Sequence, residues 1–352
     1  MLLADLKTPR KEGYYFPAEW ARHTATWLSY PHNENSFPNK INTIYPSYFE
    51  FVKQVAQSEI VNINVKDERM RLLVKKQLQE YAVPTENIKI HIFPNNDAWC
   101  RDHGPAFVIN PEHPEHKKAV VKWDYNAWGD KYPPYDLDNQ IPYHIAEYLQ
   151  LPLYEAGIVM EGGSVDFNGE GTLITSTACL LNPNRNPALS RQDIETYLCE
   201  YYGVAQILWV ADGIVGDDTD GHIDDITRFI NEDTVVTVIE KNKNDENYLP
   251  LQENLQLLSK MRLLNDKQLN IIELPMPSPV IWEEQRLPAS YANFYICNAG
   301  VIVPTFQCPE DQIAIDTLEK CFPEKKVIPI DSVEIIWGLG SFHCLSQQEP
   351  AV

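Results

Sequence analysis

The stretch GLGSFHCLSQQEP, near the end of the chain, places His343 directly before Cys344, two residue types that together can perform nucleophilic catalysis. If residues 341–346 are extended, neighbouring side chains point to opposite faces of the strand, so this histidine is not expected to serve as the base for its neighbour. Most cysteines are inert, but the glycines before Cys344 and the polar residues after it favour a functional thiol. We therefore expect Cys344 to be a nucleophile whose histidine comes from elsewhere, and His343 to be structural.

The stretch DDTDGHIDD, residues 217–225, contains the best-placed histidine. His222 and Asp224 are two residues apart, so on a strand both side chains point to the same side. Such a pair can bind a metal ion, or it can set a proton-transferring histidine beside a carboxylate that holds substrate. No second His/Asp pair of matching type in the sequence supports a metal site. The remaining aspartates of this group are expected to form a solvated acidic loop, namely Asp217, Asp218 and Asp220.

A third polar stretch, NNDAWCRDHGP at residues 95–105, follows a strand-like run. It surrounds Trp99 with four charged or titratable side chains, namely Asp97, Arg101, Asp102 and His103. The stretch is compatible with a local turn that contains an Arg–Asp pair. It is equally compatible with a loop that presents a carboxylate and an aromatic wall to a cation.

The stretch MEGGSVDFNGEG, residues 160–171, places Glu161 before two glycines. Glycine lets the backbone turn sharply or approach a ligand closely. Glycines beside a strand more often mark only a bulge or a turn, so this motif is weak evidence when taken alone.

From these four stretches we take one candidate nucleophilic thiol, Cys344, one candidate proton-transferring histidine, His222, and several carboxylates, and none of the stretches contains a lysine. A planar guanidinium cation suits this set, because carboxylates can hold both of its edges in bidentate contacts. A thiolate can then attack the guanidinium carbon while a histidine protonates the departing nitrogen.

The composition excludes several classes of partner and cofactor. The formal net charge of −21 argues against nucleic acid or an anionic membrane as partner, and it is compatible with a small cation. No apolar run reaches membrane-spanning length, and the N-terminus lacks a signal-peptide core, so a cytoplasmic protein is expected. Seven cysteines without a C-x-x-C pair predict neither a zinc ribbon nor a thioredoxin motif. No glycine-rich nucleotide-binding motif occurs.

Short β-branched runs alternate with helical stretches along the whole chain, which predicts an α/β protein with a single domain, residues 1–352. The predicted strands are 60–65, 88–93, 119–123, 172–176, 206–210, 234–239, 270–274, 301–306 and 326–331. The predicted helices are 67–83, 254–264, 309–322 and one that begins at Ser190, has a capping box with Asp193 and ends at Gly203. Loops are expected at 110–118, 130–136, 182–187 and 241–250. The recurrence of strand, loop, strand and helix suggests repeated β-rich α/β units.

With these residues and motifs, the sequence resembles the agmatine deiminases, a family in the guanidine-modifying superfamily. That superfamily also contains bacterial peptidylarginine deiminases. The matching segments run from about residue 17 to the end of the chain: PAEWARHTATWLSYP, NNDAWCRDHGP, WDYNAWGDKYPPYDLDNQ, MEGGSVDFNG, CLLNPNRNP, GHIDD, RLPASYANFYICNAGVIVPTF and GSFHCLSQQEP. The resemblance implies a pentein fold, a five-bladed α/β propeller of ββαβ units about a pseudo-fivefold axis, with the active site at its centre.

The resemblance also implies a role for each matching residue. Cys344 would be the nucleophile, and His222 would be the general acid and base. Asp102 and Asp224 would clamp the guanidinium. Glu161 would help to hold the guanidinium and the histidine, and Trp99 would line the pocket. Within the first segment it selects Asp102 as the clamp instead of Asp97. The sequence departs from the family at Asp225, often asparagine, and at Leu339 and Phe342, which could adjust the shape of the pocket.

The reaction implied by the resemblance is hydrolysis of agmatine to N-carbamoylputrescine and ammonia through a covalent thiouronium on Cys344, without cofactor or metal. The expected partner is a small cationic guanidine, with no nucleic acid and no membrane, and a homo-oligomer is left open. The alternatives are deimination of peptidylarginine or free arginine, a non-catalytic polyamine-binding protein, and a metallohydrolase that uses His222 and Asp224.

Overall fold

The computed structural model of the protein describes residues 6–352, in which strands and helices alternate as an α/β fold. The strands are β1 (His23–Ser29), β2 (Ile60–Val65), β3 (Ile88–Ile92), β4 (Ala106–Ile109), β5 (Lys118–Asp124), β6 (Leu153–Val159), β7 (Val165–Phe167), β8 (Thr172–Ser176), β9 (Gln206–Val210), β10 (Thr227–Asn231), β11 (Thr234–Ile239), β12 (Asn270–Pro275), β13 (Ile281–Trp282), β14 (Gln285–Arg286), β15 (Tyr295–Ile296), β16 (Gly300–Thr305), β17 (Lys326–Asp331) and β18 (Ser346–Pro350).

The helices are short where they lie close to the candidate site and longer where they connect strands. They are α1 (Tyr45–Val55), α2 (Glu68–Glu80), α3 (Cys100–His103), α4 (Ala127–Asp130), α5 (Ile141–Leu149), α6 (Thr177–Leu180), α7 (Arg191–Tyr202), α8 (Tyr248–Leu258), α9 (Glu310–Cys321) and α10 (Phe342–Leu345). Short 3₁₀ turns lie at Arg10–Glu12, Asp138–Gln140, Gly162–Ser164, Ile223–Asp225 and Ile335–Gly338. Along the described residues, no helix combines the length and the apolar character needed to cross a membrane.

The nine predicted strands all form, with the expected bounds or with bounds displaced by a single residue. The sequence did not reveal strands such as β18, whose residues are polar although all of them are buried. This strand pairs antiparallel with β1, so its burial results from long-range pairing and not from its own hydrophobic pattern.

Three of the four predicted helices form within a few residues of the expected bounds, as α2, α7 and α9. The fourth prediction, 254–264, is wrong because α8 begins six residues earlier, at Tyr248, and ends at Leu258. The reason lies in Asn254, whose buried side chain accepts from the amide of Ala211 at 2.8 Å and donates to the carbonyl of Asp212 at 2.7 Å. This asparagine occupies the middle of the helix, where it ties α8 to the segment after β9.

One strand order recurs through the fold. In β4-β5-β6, β7-β8-β9, β10-β11-β12 and β15-β16-β17, the first pair of strands is antiparallel and the second pair is parallel. The remaining large sheet follows the same rule in the order β18-β1-β2-β3, with the last strand of the chain in the leading position. Each parallel pair is joined through a helix, as a crossover connection requires. A two-stranded hairpin, β13-β14, completes the sheets of the described chain.

Short turns precede the leading strands and converge. The helix α3 precedes β4, the turn Gly162–Ser164 precedes β7, the turn Ile223–Asp225 precedes β10, and α10 precedes β18. The helix α3 contacts both α10 and the turn at Gly162–Ser164, which in turn contacts the turn at Ile223–Asp225. Four polar stretches that are far apart in sequence therefore meet at one point in the fold.

The helix α7 offers a direct test of the local rules, because its capping box forms as the sequence predicts. The hydroxyl of Ser190 accepts from the amide of Asp193 at 3.2 Å, and the Asp193 carboxylate accepts from the amide of Ser190 at 2.9 Å. We expect Ser190→Ala to lower the free energy of unfolding by about 1 kcal/mol. Urea unfolding measures this change, with Thr196→Ala on the same exposed helix as the control. A Ser190→Ala loss no larger than that of the control would contradict a stabilising role for the cap.

Candidate active site

The convergence of the turns brings the predicted site residues together, and each of them is buried. Asp102 lies in α3, Glu161 lies directly before the turn Gly162–Ser164, Asp224 lies within the turn Ile223–Asp225, and His222 precedes that turn. Cys344 lies in α10. One thiol, one imidazole and three carboxylates therefore share a small, largely buried volume.

The backbone around Cys344 differs from the extended conformation that the sequence suggested. Residues 342–345 form the short helix α10, and the strand begins only at Ser346. Among the described residues, the Sγ of Cys344 has two side-chain hydrogen-bond partners, the amide of Asn293 at 3.0 Å and the Asp224 Oδ2 at 3.5 Å. His343 therefore does not pair with the thiol, as expected, but the reason given for this was wrong.

His343 is part of the site, which corrects its assignment to a purely structural face. Its Nδ1 lies 2.7 Å from Asp224 Oδ2 and its Nε2 lies 2.8 Å from Glu19 Oε2, so the ring bridges two buried carboxylates. Glu19 is in turn 3.0 Å from the guanidinium of Arg228 and 3.3 Å from that of Arg101. The bridge fixes the orientation of the Asp224 carboxylate from behind.

Asn293 is a residue of the site that the sequence did not reveal. Besides the thiol, its side-chain amide donates to Asp225 Oδ1 at 3.0 Å, and its carbonyl accepts from the amide of His343 at 3.1 Å. It lies just before β15, where a sequence pattern shows no local sign of chemistry. Asp225, one of the departures from the family pattern, is thus held by this amide.

The thiol of Cys344 is protonated at neutral pH in the resting protein. Burial raises the pKa of this thiol well above its usual range, and the nearby carboxylates of Asp224, Asp225 and Asp102 raise it further because they repel a thiolate. A cation placed among these carboxylates would offset their charges and lower the pKa of the thiol again.

His222 faces three carboxylates at distances of ion pairs. Its Nδ1 lies 3.8 Å from Asp102 Oδ1 and 3.9 Å from Asp224 Oδ1, and its Nε2 lies 3.9 Å from Glu161 Oε2. Burial alone would lower the pKa of this histidine, but the negative charge of Asp102 and the proximity of Cys179 and Glu161 raise it well above its usual range. The resting ring is therefore an imidazolium that can donate a proton.

Asp102 and Asp224 form the two sides of the candidate clamp. Burial raises the pKa of Asp102 to about 6; the His222 charge lowers it, while the charges of Asp224 and Glu161 raise it. The pKa of Asp224 is lowered, since the hydrogen bond and charge of His343 outweigh its burial. Asp224 Oδ1 has no hydrogen-bond partner among the described residues, so it is free to accept from a ligand.

Glycine is required at position 163, between these groups. A Cβ at Gly163 would lie 2.6 Å from His222 Nδ1 and 2.9 Å from Asp102 Oδ1. The amide of Gly163 also donates to Asp102 Oδ1 at 2.9 Å. The two glycines that follow Glu161 therefore allow the backbone to approach the site, which the sequence raised as one of two interpretations.

Trp128 is a second site residue that the sequence did not reveal, and it lies on strained backbone. Residues Ala127, Trp128, Gly129 and Asp130 have φ values of 48°, 58°, 90° and 61°, which makes α4 a left-handed turn. For residues other than glycine this conformation costs roughly 1–2 kcal/mol each. The turn directs the indole Nε1 of Trp128 to Asp102 Oδ2, at 2.9 Å. Strain of this kind is typical of functional sites.

Glu161 is supported by an arginine that the sequence analysis assigned to a loop. Arg185 Nε lies 2.7 Å from Glu161 Oε1, and both side chains are buried. The pKa of Glu161 is lowered because the Arg185 and His222 charges outweigh the effect of burial. Arg185 also contacts Asp220 Oδ2 at 2.6 Å, so it joins Glu161 to the aspartate-rich segment.

The expectation of a solvated acidic loop at residues 217–220 is wrong, because each aspartate is partly buried and bonded. Asp217 accepts from the amides of Gly221 and His222 at 2.9 and 3.1 Å and thereby shapes the backbone before the histidine. Asp218 accepts from Tyr132 and pairs with Lys131, and Asp220 pairs with Lys131 and Arg185. Asp97, the aspartate not selected as a clamp, accepts from Asn33, Ser36 and the amide of Ala98 and anchors its loop.

A pocket with a volume of about 190 Å³ opens onto Cys344 and Asp102. Its walls are mostly apolar, and the lining includes the five aromatic residues Trp99, Trp128, Tyr132, Trp282 and Trp337 together with Asp218. Trp99 lies in the wall where the sequence analysis expected it. Gly340 packs on its ring, since a Cβ there would lie 2.7 Å from the indole. An aromatic pocket that ends in carboxylates and a thiol suits a slender cation.

A metal ion finds a more suitable set of donors beside the clamp than in the pair considered from the sequence. Among the described residues, potential ligand atoms of Glu161, Cys179 and His222 lie within 4.8 Å of one another, and all three residues are buried. Glu161, a member of this cluster, faces Nε2 of the imidazole, whereas Asp102 and Asp224 face Nδ1.

Comparisons with known proteins agree over nearly the whole chain. Residues 15–350 match the model of the Porphyromonas-type peptidyl-arginine deiminase family. The agmatine deiminase of Pseudomonas syringae pv. tomato is 35% identical, over 98% of this chain and 97% of that protein. The solved agmatine deiminase of Enterococcus faecalis has a TM-score of 0.91 and 31% identity, with 98% of each chain covered. A Cys-to-Ser variant of the C. jejuni agmatine deiminase, solved with substrate bound, has a TM-score of 0.86 and 33% identity, with 96% of each chain covered.

The electrostatics of the thiol make a prediction that is independent of turnover. Chloroacetamide and chloroacetamidine alkylate thiols with the same leaving group, but only the amidine carries a positive charge. We expect the amidine-to-amide rate ratio at Cys344 to exceed that of glutathione at least about 10-fold, because the cation offsets the carboxylates that raise the thiol pKa. Peptide mapping distinguishes Cys344 from the other cysteines. Equal ratios for the protein and glutathione would show that these carboxylates do not control the thiol.

Proposed function

Since this chain belongs to the Porphyromonas-type peptidyl-arginine deiminase family, we propose that it hydrolyses the guanidinium group of agmatine to N-carbamoylputrescine and ammonia. The observation that carries the proposal is the burial of a thiol, Cys344, beside two carboxylates, Asp102 and Asp224, that flank the imidazolium of His222. The enzyme is a hydrolase that acts on a carbon–nitrogen bond.

Substrate binding in this proposal uses the carboxylates of the clamp and of the pocket lining. The guanidinium enters between Asp102 and Asp224 and donates an N–H hydrogen bond to Asp224 Oδ1, which has no other partner among the described residues. Trp99 lines the pocket beside it, and Asp218 lines the same pocket at a position where a carboxylate favours the cationic amine at the other end of agmatine.

The lining of the pocket favours agmatine over arginine. Within the described chain, the lining residues include no arginine or lysine that could meet the carboxylate of free arginine. They include Asp102 and Asp218, whose charges would repel that carboxylate. An amine in place of the amino-acid head group is therefore the better fit.

The first chemical half-reaction forms a covalent intermediate. The guanidinium charge lowers the pKa of Cys344, and the thiol proton leaves to solvent through the pocket. The resulting thiolate attacks the guanidinium carbon, and a carbon–sulfur bond forms. His222 donates its Nδ1 proton to one terminal nitrogen, and the carbon–nitrogen bond breaks as ammonia departs. The product on the protein is an S-alkylthiouronium.

The second half-reaction returns the protein to its resting state. His222, now neutral, accepts a proton from water while the water oxygen attacks the thiouronium carbon. The carbon–sulfur bond breaks, the departing Cys344 thiolate takes the proton of the new hydroxyl group, and neutral N-carbamoylputrescine is released with the thiol restored. Glu161 is a positioning residue in this scheme, because it faces Nε2 and keeps Nδ1 directed at the clamp. This chemistry requires no cofactor.

We propose that the five large sheets stand about a common axis as a pentein propeller, within a single catalytic domain of residues 1–352. Support comes from the recurring strand order and from the segments that precede each leading strand, all of which supply a group to the site. These groups are Asp102, Glu161, Asp224, Asn293 and Cys344. The partner is a small cationic guanidine and not nucleic acid or membrane, and a homo-oligomer fits the proposal. Free thiols at all seven cysteines suit a reducing, cytoplasmic setting.

The substrate proposal is tested by measuring the ureido product from agmatine, free arginine and an arginine-containing peptide. We expect agmatine to be preferred by the wild-type protein, and Cys344→Ser to abolish turnover while agmatine still binds, because a serine hydroxyl is a far weaker nucleophile than a thiolate. Isothermal titration measures that binding. Preference for arginine or the peptide would overturn the substrate, and an active serine variant would overturn the nucleophile. Binding without turnover in the wild type would favour a polyamine-binding protein.

Trp128 provides a test through pH, because its indole stabilises the ionised form of Asp102. The clamp binds a cation only when Asp102 is ionised, so kcat/KM for agmatine should fall as the pH drops below the Asp102 pKa of about 6. In Trp128→Phe the lost donor raises that pKa, which moves the acidic limb to higher pH and lowers kcat/KM by about 10-fold or more. Trp337→Phe, in the same pocket, is the control. A lower rate with an unmoved limb would assign Trp128 a packing role only.

A further inference from the structure

Cys179 is a buried thiol that the proposed reaction does not use. It lies in α6, where its amide donates to the Ser176 hydroxyl at 3.2 Å. Ligand atoms of Cys179, Glu161 and His222 lie within 4.8 Å of one another, although the three residues come from separate segments. No side chain of this cluster is accessible to solvent.

Two members of the cluster hold polar atoms without partners. Among the described residues, both ring nitrogens of His222 and the Oε2 of Glu161 are buried and have no hydrogen-bond partner. Unsatisfied buried polar atoms cost free energy and indicate a ligand or water at that position. The substrate accounts for Nδ1, which faces the clamp, but not for Nε2 and Glu161 Oε2, which face each other across 3.9 Å.

We propose that Cys179, His222 and Glu161 bind Zn²⁺ on the Nε2 side of the imidazole, and that the bound metal inhibits the enzyme. A thiolate, an imidazole nitrogen and a carboxylate oxygen are the ligand types that zinc prefers. Three protein ligands leave the fourth tetrahedral position to water. The site differs from the His222/Asp224 pair that the sequence suggested, and it does not include the nucleophile.

The geometry allows coordination with small side-chain movements. Zinc bonds of about 2.0–2.3 Å hold tetrahedral ligand atoms roughly 3.4–3.6 Å apart. The His222–Glu161 pair is already at 3.9 Å, and all three atoms lie within 4.8 Å, so shifts of about 1 Å suffice. Arg185 holds the other oxygen of Glu161 and thereby presents Oε2 to the metal.

Inhibition follows from competition between metal and proton, and this part alone depends on the proposed function. Zinc binds the Nε2 lone pair of a neutral imidazole, so one proton leaves the ring from Nε2 and one leaves the Cys179 thiol. His222 can then no longer be the imidazolium that protonates the leaving nitrogen. The metal therefore prevents the first half-reaction without touching Cys344.

The test uses Co²⁺ as a spectroscopic probe, because a thiolate–cobalt bond gives a charge-transfer absorption band, and Zn²⁺ as the inhibitor and competitor. We expect the purified full-length protein to show the band, Zn²⁺ to displace it, and Cys344→Ala to retain it. Cys179→Ser should lose the band and weaken zinc affinity at least about 100-fold, since loss of even an outer hydrogen-bond partner costs about 10–100-fold. Cys199→Ser is the matched control for a half-buried thiol elsewhere. Metal-free thermal midpoints establish that each variant is folded.

The outcomes separate the metal site from the function. A band that persists in Cys179→Ser but disappears in Cys344→Ala would place the metal on the nucleophile and overturn the proposal, as would the lack of a band in the wild type. Zinc inhibition of agmatine hydrolysis, measured relative to the metal-free rate of each variant, should be relieved at least about 10-fold in Cys179→Ser. If the band behaves as expected but agmatine is not hydrolysed, the proposed function fails while the metal site stands.

Discussion

The site depends on one electrostatic constraint, namely that three buried carboxylates face a single histidine. Asp102, Glu161 and Asp224 lie 3.8, 3.9 and 3.9 Å from the ring nitrogens of His222. Charges buried this closely are costly unless each has its own partner. The partners are the Trp128 indole and Gly163 amide for Asp102, the Arg185 guanidinium for Glu161 and the His343 ring for Asp224. Since Arg185 balances only Glu161, a single imidazolium faces the two remaining carboxylates, and the resting site favours a further cation.

This constraint explains why the site is built from turns and not from strands. A turn exposes backbone amides and lets side chains from several sheets meet at one point, whereas a strand presents its groups in a fixed row. The antiparallel pairing of β18 with β1 brings the last residues of the chain to the same point as α3. The sheet that contains β18 is therefore needed for the thiol to reach the carboxylates, although neither carboxylate of the clamp lies in that sheet.

The sequence predicted those features that leave a local trace. β-branched runs mark the buried strands, and the residue types of the polar stretches suffice to suggest a guanidinium. It could not predict Asn293, whose contact with Cys344 spans 51 residues and has no local pattern. It also missed β18, since its polar residues are buried only through pairing with β1. Asp217 was misjudged for the same reason: an acidic run appears solvated until the amides that it accepts from are known.

His343 and Cys344 are neighbours in sequence that influence each other through a third residue and not through a hydrogen bond between their own side chains. Because α10 is a helical turn, the ring and the thiol are not forced to opposite faces, and both reach the same oxygen, Asp224 Oδ2, at 2.7 and 3.5 Å. The histidine keeps that carboxylate ionised, and the ionised carboxylate keeps the thiol protonated. His343 therefore restrains the reactivity of the Cys344 thiol through Asp224. The restraint is removed when a cation shares the carboxylate, which couples the reactivity of the thiol to the arrival of a positively charged substrate.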